Sequence, residues 1–253
     1  MTDQGRFVWH ELHTQDRLAA QKFYASLTGW QTKEIPMGPG EPYTLCQLGG
    51  KDHAGITKSK APAHVPPHWL PYLHADDVDA AAAKVAALGG KVVQPPADIP
   101  NIARFAVVMD PTGGAFALHH HHTPYPQEPE RPPVGSFCWN ELLTSDPEAA
   151  AKFYTELFGY TVESTDMGPM GTYRILKSGD KLRAGIMSIP PQAGAHSHWF
   201  TYIAVSDVDA STRNARELGA KVVVEPKDIP DIGRFSAIDD PTGAGVGLFT
   251  GAP

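Results

Sequence analysis

Two carboxylates occupy matching places in this chain of 253 residues, and each follows a tryptophan by two positions. Glu11 follows Trp9, and Glu141 follows Trp139, 130 residues further on. An indole beside a carboxylate removes water from it and is expected to raise its pKa, the direction that suits a general acid or base near neutral pH. Glu11 and Glu141 are therefore the candidate catalytic residues.

Both pairs lie in segments with the periodicity of a β-strand. In residues 5–12, Phe7, Trp9 and Glu11 alternate with Val8, His10 and Leu12. Residues 135–142 repeat this pattern, and the sequence that follows repeats at the same offset. Successive side chains of a strand point to opposite faces, so each Trp shares a face with its Glu. The chain is predicted to be two copies of one unit.

Each copy contains two predicted helices, and each helix follows a strand and precedes three more. Asp16 and Asp77 are the predicted N-caps in the first copy, and Gly29 and Gly89 are the predicted stops. The order strand, helix, strand, strand, strand thus occurs twice per copy, which indicates an α+β fold. The predicted domains are residues 1–122 and 135–253. Residues 123–134 form the predicted linker, and the five prolines within 123–133 favour an extended, semi-rigid chain.

Composition argues against several classes of partner. Lys and Arg number 21 against 28 Asp and Glu, a net charge of −7, and no basic run is long enough to hold a phosphate backbone. No apolar run approaches the roughly 20 residues of a membrane helix. Cys46 and Cys138 lie at non-equivalent positions of the two copies, and no signal-peptide segment is evident. These features predict a cytoplasmic protein without nucleic-acid or membrane partners, and a homodimer is left open.

Several motifs resemble one protein family. They are the Phe23, Tyr24, Leu27 and Gly29 signature, the Asp77–Asp79 helix start and the Asp110–Gly113 turn. Together with the first strand they resemble the vicinal oxygen chelate superfamily, which includes glyoxalase I, extradiol dioxygenases and bleomycin-resistance proteins, and the resemblance covers both copies. More narrowly, the chain is similar to actinobacterial two-domain proteins described as 27 kDa antigens or hydroxylases. The resemblance implies two tandem glyoxalase-like domains, each of two βαβββ modules whose mixed sheet curls into a cup for a small molecule.

Metal-dependent members of this superfamily carry His on the first and fifth strands and a carboxylate on the last. The corresponding positions here hold Trp9, Leu70 and Ala117 in the first copy and Trp139, Phe200 and Gly247 in the second. None of these side chains offers a nitrogen or carboxylate donor to a divalent cation. No cofactor is therefore expected, and a divalent metal bound in a shifted register or by His68 and Glu11 is the alternative.

The predicted cup retains aromatic and polar side chains that suit a small-molecule pocket, because rings supply buried area and polar groups supply orientation. The candidate ligand contacts are Trp9, His68, Tyr72, Arg104 and His119 in the first copy and Trp139, His198, Tyr202 and Arg234 in the second.

Structural roles compete with each of these assignments. Glu11 and Glu141 could pair with the repeated Arg104 and Arg234 or accept backbone hydrogen bonds. The tryptophans could belong to the core, and His68 and His198 could be hydrogen-bonded structural residues at strand starts. The run 119–122, four histidines, is interpreted as a solvated strand end rather than a chelating site.

Three functions remain open on the sequence alone. The first is a small-molecule enzyme with lyase-like or hydroxylase-like activity that lacks the usual metal ligands, with Glu11 and Glu141 as acid and base groups. The second is a metal-dependent glyoxalase or extradiol dioxygenase. The third is a non-catalytic protein that sequesters a ligand, as bleomycin-resistance proteins do. The sequence does not decide whether the protein is an enzyme.

Overall fold

The structure is a computed structural model and describes residues 3–38, 40–168, 171–189 and 196–252. The strands and helices follow the predicted order. The first copy contains β1 (Phe7–Thr14), α1 (Arg17–Thr28), β2 (Gln31–Ile35), β3 (Tyr43–Leu48), β4 (Lys51–Lys58), β5 (His68–His74), α2 (Val78–Ala87), β6 (Lys91–Ile99), β7 (Ala103–Met109) and β8 (Ala115–His121). The second contains β9 (Phe137–Thr144), α3 (Pro147–Phe158), β10 (Thr161–Asp166), β11 (Thr172–Ser178), β12 (Lys181–Ser188), β13 (His198–Ala204), α4 (Val208–Glu217), β14 (Lys221–Ile229), β15 (Gly233–Asp239) and β16 (Gly245–Gly251).

The strands form two mixed eight-stranded sheets with the same topology. The orders are β2-β3-β4-β1-β5-β8-β7-β6 and β10-β11-β12-β9-β13-β16-β15-β14. In each module the first strand pairs in parallel with the fourth, and the remaining pairs are antiparallel. The α+β class with two tandem domains of two βαβββ modules is confirmed.

The helices begin and end where local chemistry predicted. The side chain of Asp16 accepts a hydrogen bond from the backbone N–H of Ala19 at 3.0 Å, which satisfies one of the free donors of the first turn. Gly29 ends α1 in the left-handed region, with φ 76°, a conformation that favours glycine. The other three helices have the equivalent aspartate caps Asp77, Asp146 and Asp207.

Strand β6 runs from Lys91 to Ile99 through Pro95 and Pro96, although proline is rare inside a sheet. This strand lies at a sheet edge, and its pairing shifts register between Gln94 and Ala97, so the prolines need not donate to the ladder. β8 continues past His119 to His121, which pairs with Ala103 on β7.

The chain divides into two compact units, each with its own core. One contains Met1–Val8, Pro71–Gln127 and Trp139–Phe200, and the other contains Trp9–Leu70, Glu128–Cys138 and Thr201–Pro253. In the first unit, α2 and α3 bury their apolar faces in a single cluster that includes Val85, Phe116 and Phe153. In the second, α1 and α4 do the same in a cluster that includes Phe23 and Ile203.

A hydrogen-bonded tyrosine explains the Phe-Tyr signature of α1. The hydroxyl of Tyr24 donates to Asp240 at 3.0 Å and accepts from the indole of Trp69 at 2.9 Å. Asp240 also accepts three bonds from its own turn, at the backbone and hydroxyl of Thr242 and the backbone of Ala244. Tyr24 is fully buried, so every polar atom here needs its partner. Tyr154, Asp110 and Trp199 repeat the arrangement in the other unit.

No helix in the described part of the chain is long and apolar enough to cross a membrane.

Candidate functional site

The alternation of β1 separates a core face from a second, partly accessible face. Leu12 and Thr14 are fully buried, and Leu12 belongs to the cluster packed against α1. Trp9, Glu11 and His13 point to the opposite face and are only partly buried. The predicted sharing of one face by Trp9 and Glu11 therefore agrees with the burial pattern of this strand, and β9 shows the same pattern.

A row of hydrogen-bonded side chains crosses this face in the first copy. The indole nitrogen of Trp9 donates to the hydroxyl of Tyr43 at 3.2 Å, and Tyr43 is also hydrogen-bonded to Glu11. Glu11 on β1 lies beside Gly55 on β4, and the ring of Tyr43 covers that glycine, since a Cβ atom at Gly55 would overlap the Tyr43 hydroxyl. We call Trp9, Tyr43, Glu11 and Gly55 the first row.

The second copy has the same arrangement. The indole nitrogen of Trp139 donates to the hydroxyl of Tyr173 at 3.0 Å, Tyr173 is hydrogen-bonded to Glu141, and its ring covers Gly185. We call Trp139, Tyr173, Glu141 and Gly185 the second row. The tyrosines and glycines were missed in the sequence, although both recur at the 130-residue offset; only the pairing of distant strands brings them to the Trp and Glu.

The tyrosines of both rows remain neutral hydrogen-bond donors at physiological pH. Burial raises the pKa of Tyr43 well above its usual range, and the negative charge of Glu11 adds to the effect, while the Trp9 hydrogen bond acts in the opposite direction. Burial and Glu141 raise the pKa of Tyr173 in the same way. A neutral phenol can donate its proton to a carboxylate, which holds that carboxylate in one orientation.

Two histidines, His13 and His68, lie at the Glu11 end of the first row. His13 Nε2 lies 2.9 Å from Glu11 Oε1, a close contact that does not have the geometry of a hydrogen bond. The rings of His13 and His68 stack with centroids 5.3 Å apart and planes inclined by 5°. Burial, with a smaller effect of His13, lowers the pKa of His68 below its usual value, and its Nδ1 contacts the carbonyl oxygen of Pro66 at 2.9 Å. His13 was not predicted as a site residue.

The predicted contacts Tyr72 and His119 lie together on β5 and β8. Tyr72 is buried and faces His119 edge-on at 5.7 Å. His119 Nδ1 lies 2.7 Å from the hydroxyl of Tyr125, which also accepts from the backbone N–H of His121. The interpretation of residues 119–122 as a solvated strand end is wrong for His119, which is 8% exposed because the strand continues and Tyr125 packs over it.

Tyr125 belongs to the predicted linker. Residues 122–136, all within the described part of the chain, form no helix or strand, in agreement with the proline content. The segment is nevertheless fastened, because Arg6 donates to the carbonyl oxygen of Pro126 at 2.8 Å and places its guanidinium over the Tyr125 ring. Its first residues therefore pack against β5 and β8.

In the second copy, Tyr202 and His198 lie on β13. The ring of Tyr202 covers Gly247, where a Cβ atom would overlap it, and faces Phe235 at 6.4 Å. His198 Nδ1 contacts the carbonyl oxygen of His196 at 2.7 Å, as His68 does with its own neighbour. The predicted roles of these residues as ligand contacts remain predictions.

The predicted arginines bind aspartates. Nε and Nη2 of Arg104 contact Asp79, and Nη1 contacts Asp98 at 2.8 Å. Arg234 has the same arrangement with Asp209 and Asp228. The structural alternative that paired these arginines with Glu11 and Glu141 is wrong, because the guanidinium nitrogens are taken up by the aspartates. Hydrogen bonds from Arg104 also hold the pKa of Asp79 below its usual value.

Arg234 lines a surface depression of about 430 Å³ with Asp209, Asp228 and Thr250. A second depression, of about 330 Å³, lies beside α3 and includes Arg174. No residue of either row lines them. We regard the rows as the candidate site, because each row combines a carboxylate with aromatic rings, whereas no aromatic side chain of the described residues lines either depression.

The residues at the superfamily's metal positions do not fit a divalent cation. Trp9, Leu70 and Ala117 offer no suitable donor, nor do Trp139, Phe200 and Gly247. Across residues 3–38, 40–168, 171–189 and 196–252, no three His, Cys, Asp or Glu side chains are arranged to hold a metal. His13 contacts both members of the substitute pair, His68 through its ring and Glu11 through Nε2.

Comparison with known proteins agrees with this architecture. Residues 137–248 match the family described as Glyoxalase/Bleomycin resistance protein/Dioxygenase superfamily, and residues 9–119 match the family described as Glyoxalase-like domain. "Putative glyoxylase CFP32" of Mycobacterium bovis is 40% identical over 257 residues, which cover 99% of this chain and 96% of that protein. Anthracycline biosynthesis protein DnrV of Streptomyces peucetius is 33% identical over 255 residues, 95% of this chain and 91% of that protein.

A solved structure shares the fold. The Mn(II)-bound glyoxalase from Novosphingobium aromaticivorans superimposes with a TM-score of 0.64 at 19% identity, over 98% of this chain and 81% of that one. At this identity the likeness concerns the fold alone. Together with the relatives that match over almost their whole length, it shows that the chain belongs to the glyoxalase, bleomycin resistance protein and dioxygenase superfamily.

Proposed function

We propose that the protein is a glyoxalase-like enzyme that moves a proton on a carbon next to a carbonyl group of a small aromatic molecule, without a metal. Glu11 and Glu141 are the candidate bases. The observation that carries the proposal is the repeated contact of Trp, Tyr and Glu, in which Tyr43 accepts from Trp9 and is hydrogen-bonded to Glu11.

The first row suits proton abstraction because Glu11 can accept the proton and Tyr43 holds the carboxylate in place. Glu11 is 14% exposed, so little water competes for its oxygens, and the neutral hydroxyl of Tyr43 fixes one of them. The two oxygens of a carboxylate carry about four lone pairs, so Glu11 can accept a substrate proton while it holds its other contacts. When a carboxylate takes a proton from the C–H bond, the electron pair of that bond moves toward the neighbouring carbonyl oxygen.

The aromatic walls indicate the class of substrate. Trp9 and Trp139 are partly exposed beside their glutamates, and an indole face binds planar, apolar groups. The names of the relatives point the same way, one to a glyoxylase and the other to the biosynthesis of anthracyclines. We therefore expect a compound with both an aromatic ring and a carbonyl group.

The experiment uses the purified full chain in the presence of a chelator. The probes are the hemithioacetals that glutathione forms with phenylglyoxal and with methylglyoxal, and the readouts are thioester formation and exchange of the substrate proton in D2O. We expect conversion of the phenylglyoxal adduct with preference over the methyl one. The double variant Glu11→Gln, Glu141→Gln should lose at least about 100-fold, the usual worth of general base catalysis.

Glu163→Gln is the matched control, since Glu163 is an exposed glutamate that pairs with Lys177 on the neighbouring strand. Conversion that requires added Zn, Ni, Mn or Fe and is abolished by the chelator would overturn the proposal in favour of a metal-dependent glyoxalase or dioxygenase.

A non-catalytic binding protein is the second candidate. This candidate is supported by the hydrogen bonds within each row, such as those that join Trp139, Tyr173 and Glu141. These bonds make the wall of the site rigid. A probe that raises the melting temperature but is recovered unchanged favours this function.

A further inference from the structure

The two rows differ at one position that lies beside the glutamate. Tryptophan, tyrosine, glutamate and glycine recur at the 130-residue offset, but His13 corresponds to Leu143. Both positions follow the glutamate by two residues and therefore share its face of the strand. At this position the first row has an imidazole, and the second row has an aliphatic side chain.

The geometry around His13 connects Glu11 to solvent. His13 Nε2 is buried and lies 2.9 Å from Glu11 Oε1, while the side chain as a whole is 23% exposed. The two groups are within proton-transfer distance, and Nε2 has no other hydrogen-bond partner among the residues that the structure describes. Because the His13 side chain is partly exposed, it can exchange its proton with water.

His68 keeps the His13 ring in place. The two rings are nearly parallel at 5.3 Å, and His68 is itself oriented by Pro66. A carbonyl oxygen only accepts, so Nδ1 of His68 must be the donor, which leaves Nε2 unprotonated in the neutral ring. Leu143 cannot accept or pass on a proton, whatever other contacts the second row has.

We propose that the two rows have divided their functions: the first row turns substrate over, with His13 as a positioning residue and proton relay for Glu11, and the second row binds the same class of molecule without relaying its proton. The inference rests on the proposed function, because it assigns that reaction to one of the two rows.

The proton balance of the step is simple. Glu11 takes the proton of the C–H bond, and the electron pair moves to the carbonyl oxygen. His13 takes that proton at Nε2 and becomes an imidazolium, which leaves Glu11 ionised. The hydroxyl proton of the hemithioacetal carbon passes to the former carbonyl oxygen, and return of a proton from His13 through Glu11 to the adjacent carbon completes the isomerisation to the thioester. No oxidant, reductant or other reactant is needed.

The test compares matched variants of the full chain with the phenylglyoxal and glutathione hemithioacetal. The loss of turnover in Glu11→Gln should exceed the loss in Glu141→Gln by at least about thirtyfold, within the range that one acid or base group contributes. His13→Leu, which reproduces the second row, should lower turnover about tenfold or more. His13→Ala should regain activity when free imidazole is added, a rescue that a purely structural role would not show.

The reciprocal swap gives an independent readout. Leu143→His in the Glu11→Gln background should restore turnover, because it supplies the second row with the missing imidazole. Equal losses in the two glutamine variants of an active protein, or no imidazole rescue, would overturn this inference and leave the proposed function standing. An inactive wild-type protein would overturn both. Melting curves of every variant exclude misfolding as the cause of a loss.

Discussion

The ring of Tyr43 lies directly over Gly55, and the space that it fills is the space that a Cβ atom at Gly55 would occupy. Glu11 lies beside this glycine on the next strand. The absence of a side chain at one position thus allows the phenol to reach the carboxylate, and Tyr173 and Gly185 repeat the relationship in the second copy.

Gly55→Ala should therefore displace Tyr43 and destabilise the protein by about 1–3 kcal/mol, the usual cost of overpacking. Urea denaturation measures the change. In a Tyr43→Ala background the same substitution should cost less, because the overlapping ring is gone, and strictly additive effects in this double-mutant cycle would contradict the proposed clash. Gly185→Ala provides the matched test in the second copy.

Tyr24→Phe should cost about 1–3 kcal/mol of stability. The substitution removes the donor to Asp240 and the acceptor for Trp69, and both partners stay buried without a replacement. The urea midpoint reports the loss. Tyr154→Phe should have a similar effect, since it breaks the same contacts in the other unit. A negligible change in both variants would show that the hydroxyl does not support the turn.

Stability should fall as the pH drops from about 6.5 to about 4, in part through His53. Burial lowers the pKa of His53 to about 4, and its ring packs against Trp30 and Phe137. The unfolded chain then binds more protons than the folded one within this window, so stability is complete above the unfolded pKa and is lost below it. The shift corresponds to at most about 3 kcal/mol.

His53→Phe keeps the ring packing and removes the proton. The unfolding free energy is measured at about pH 7.5 and about pH 5, on either side of the unfolded His pKa of about 6.5. The difference between the two values should be smaller in this variant. An unaltered pH dependence would assign the effect to other groups, among them His68, whose pKa is also lowered by burial.

Tyr125→Phe should loosen the start of the linker. The hydroxyl contacts His119 Nδ1 and accepts from the backbone of His121, so its removal should cost about 1–2 kcal/mol. Limited digestion with a glutamate-specific endoproteinase at the exposed Glu130 provides the measurement, and faster cleavage is expected. Cleavage at the wild-type rate would indicate that Arg6 and Pro126 alone hold the segment.

Local signals in the sequence determined much of this protein. Asp16 and Gly29 bound the first helix because capping depends on residues within one turn, and strand period alone placed Trp9 and Glu11 on one face. The sequence also gives the residue types at the superfamily's metal positions, since the motifs define where those positions lie. The cytoplasmic location remains a prediction from composition, and whether the protein is a homodimer remains open.

Tertiary structure decided which side chains meet. Tyr43 reaches Glu11 only through the register of β3, β4 and β1, and that register depends on pairings between distant residues that no local pattern encodes. His119 became buried because a linker residue packs over it, and Arg104 bonds to Asp79 on another element. Side-chain contacts are long-range in sequence, so the candidate site could be recognised by its Trp and Glu but completed only in three dimensions.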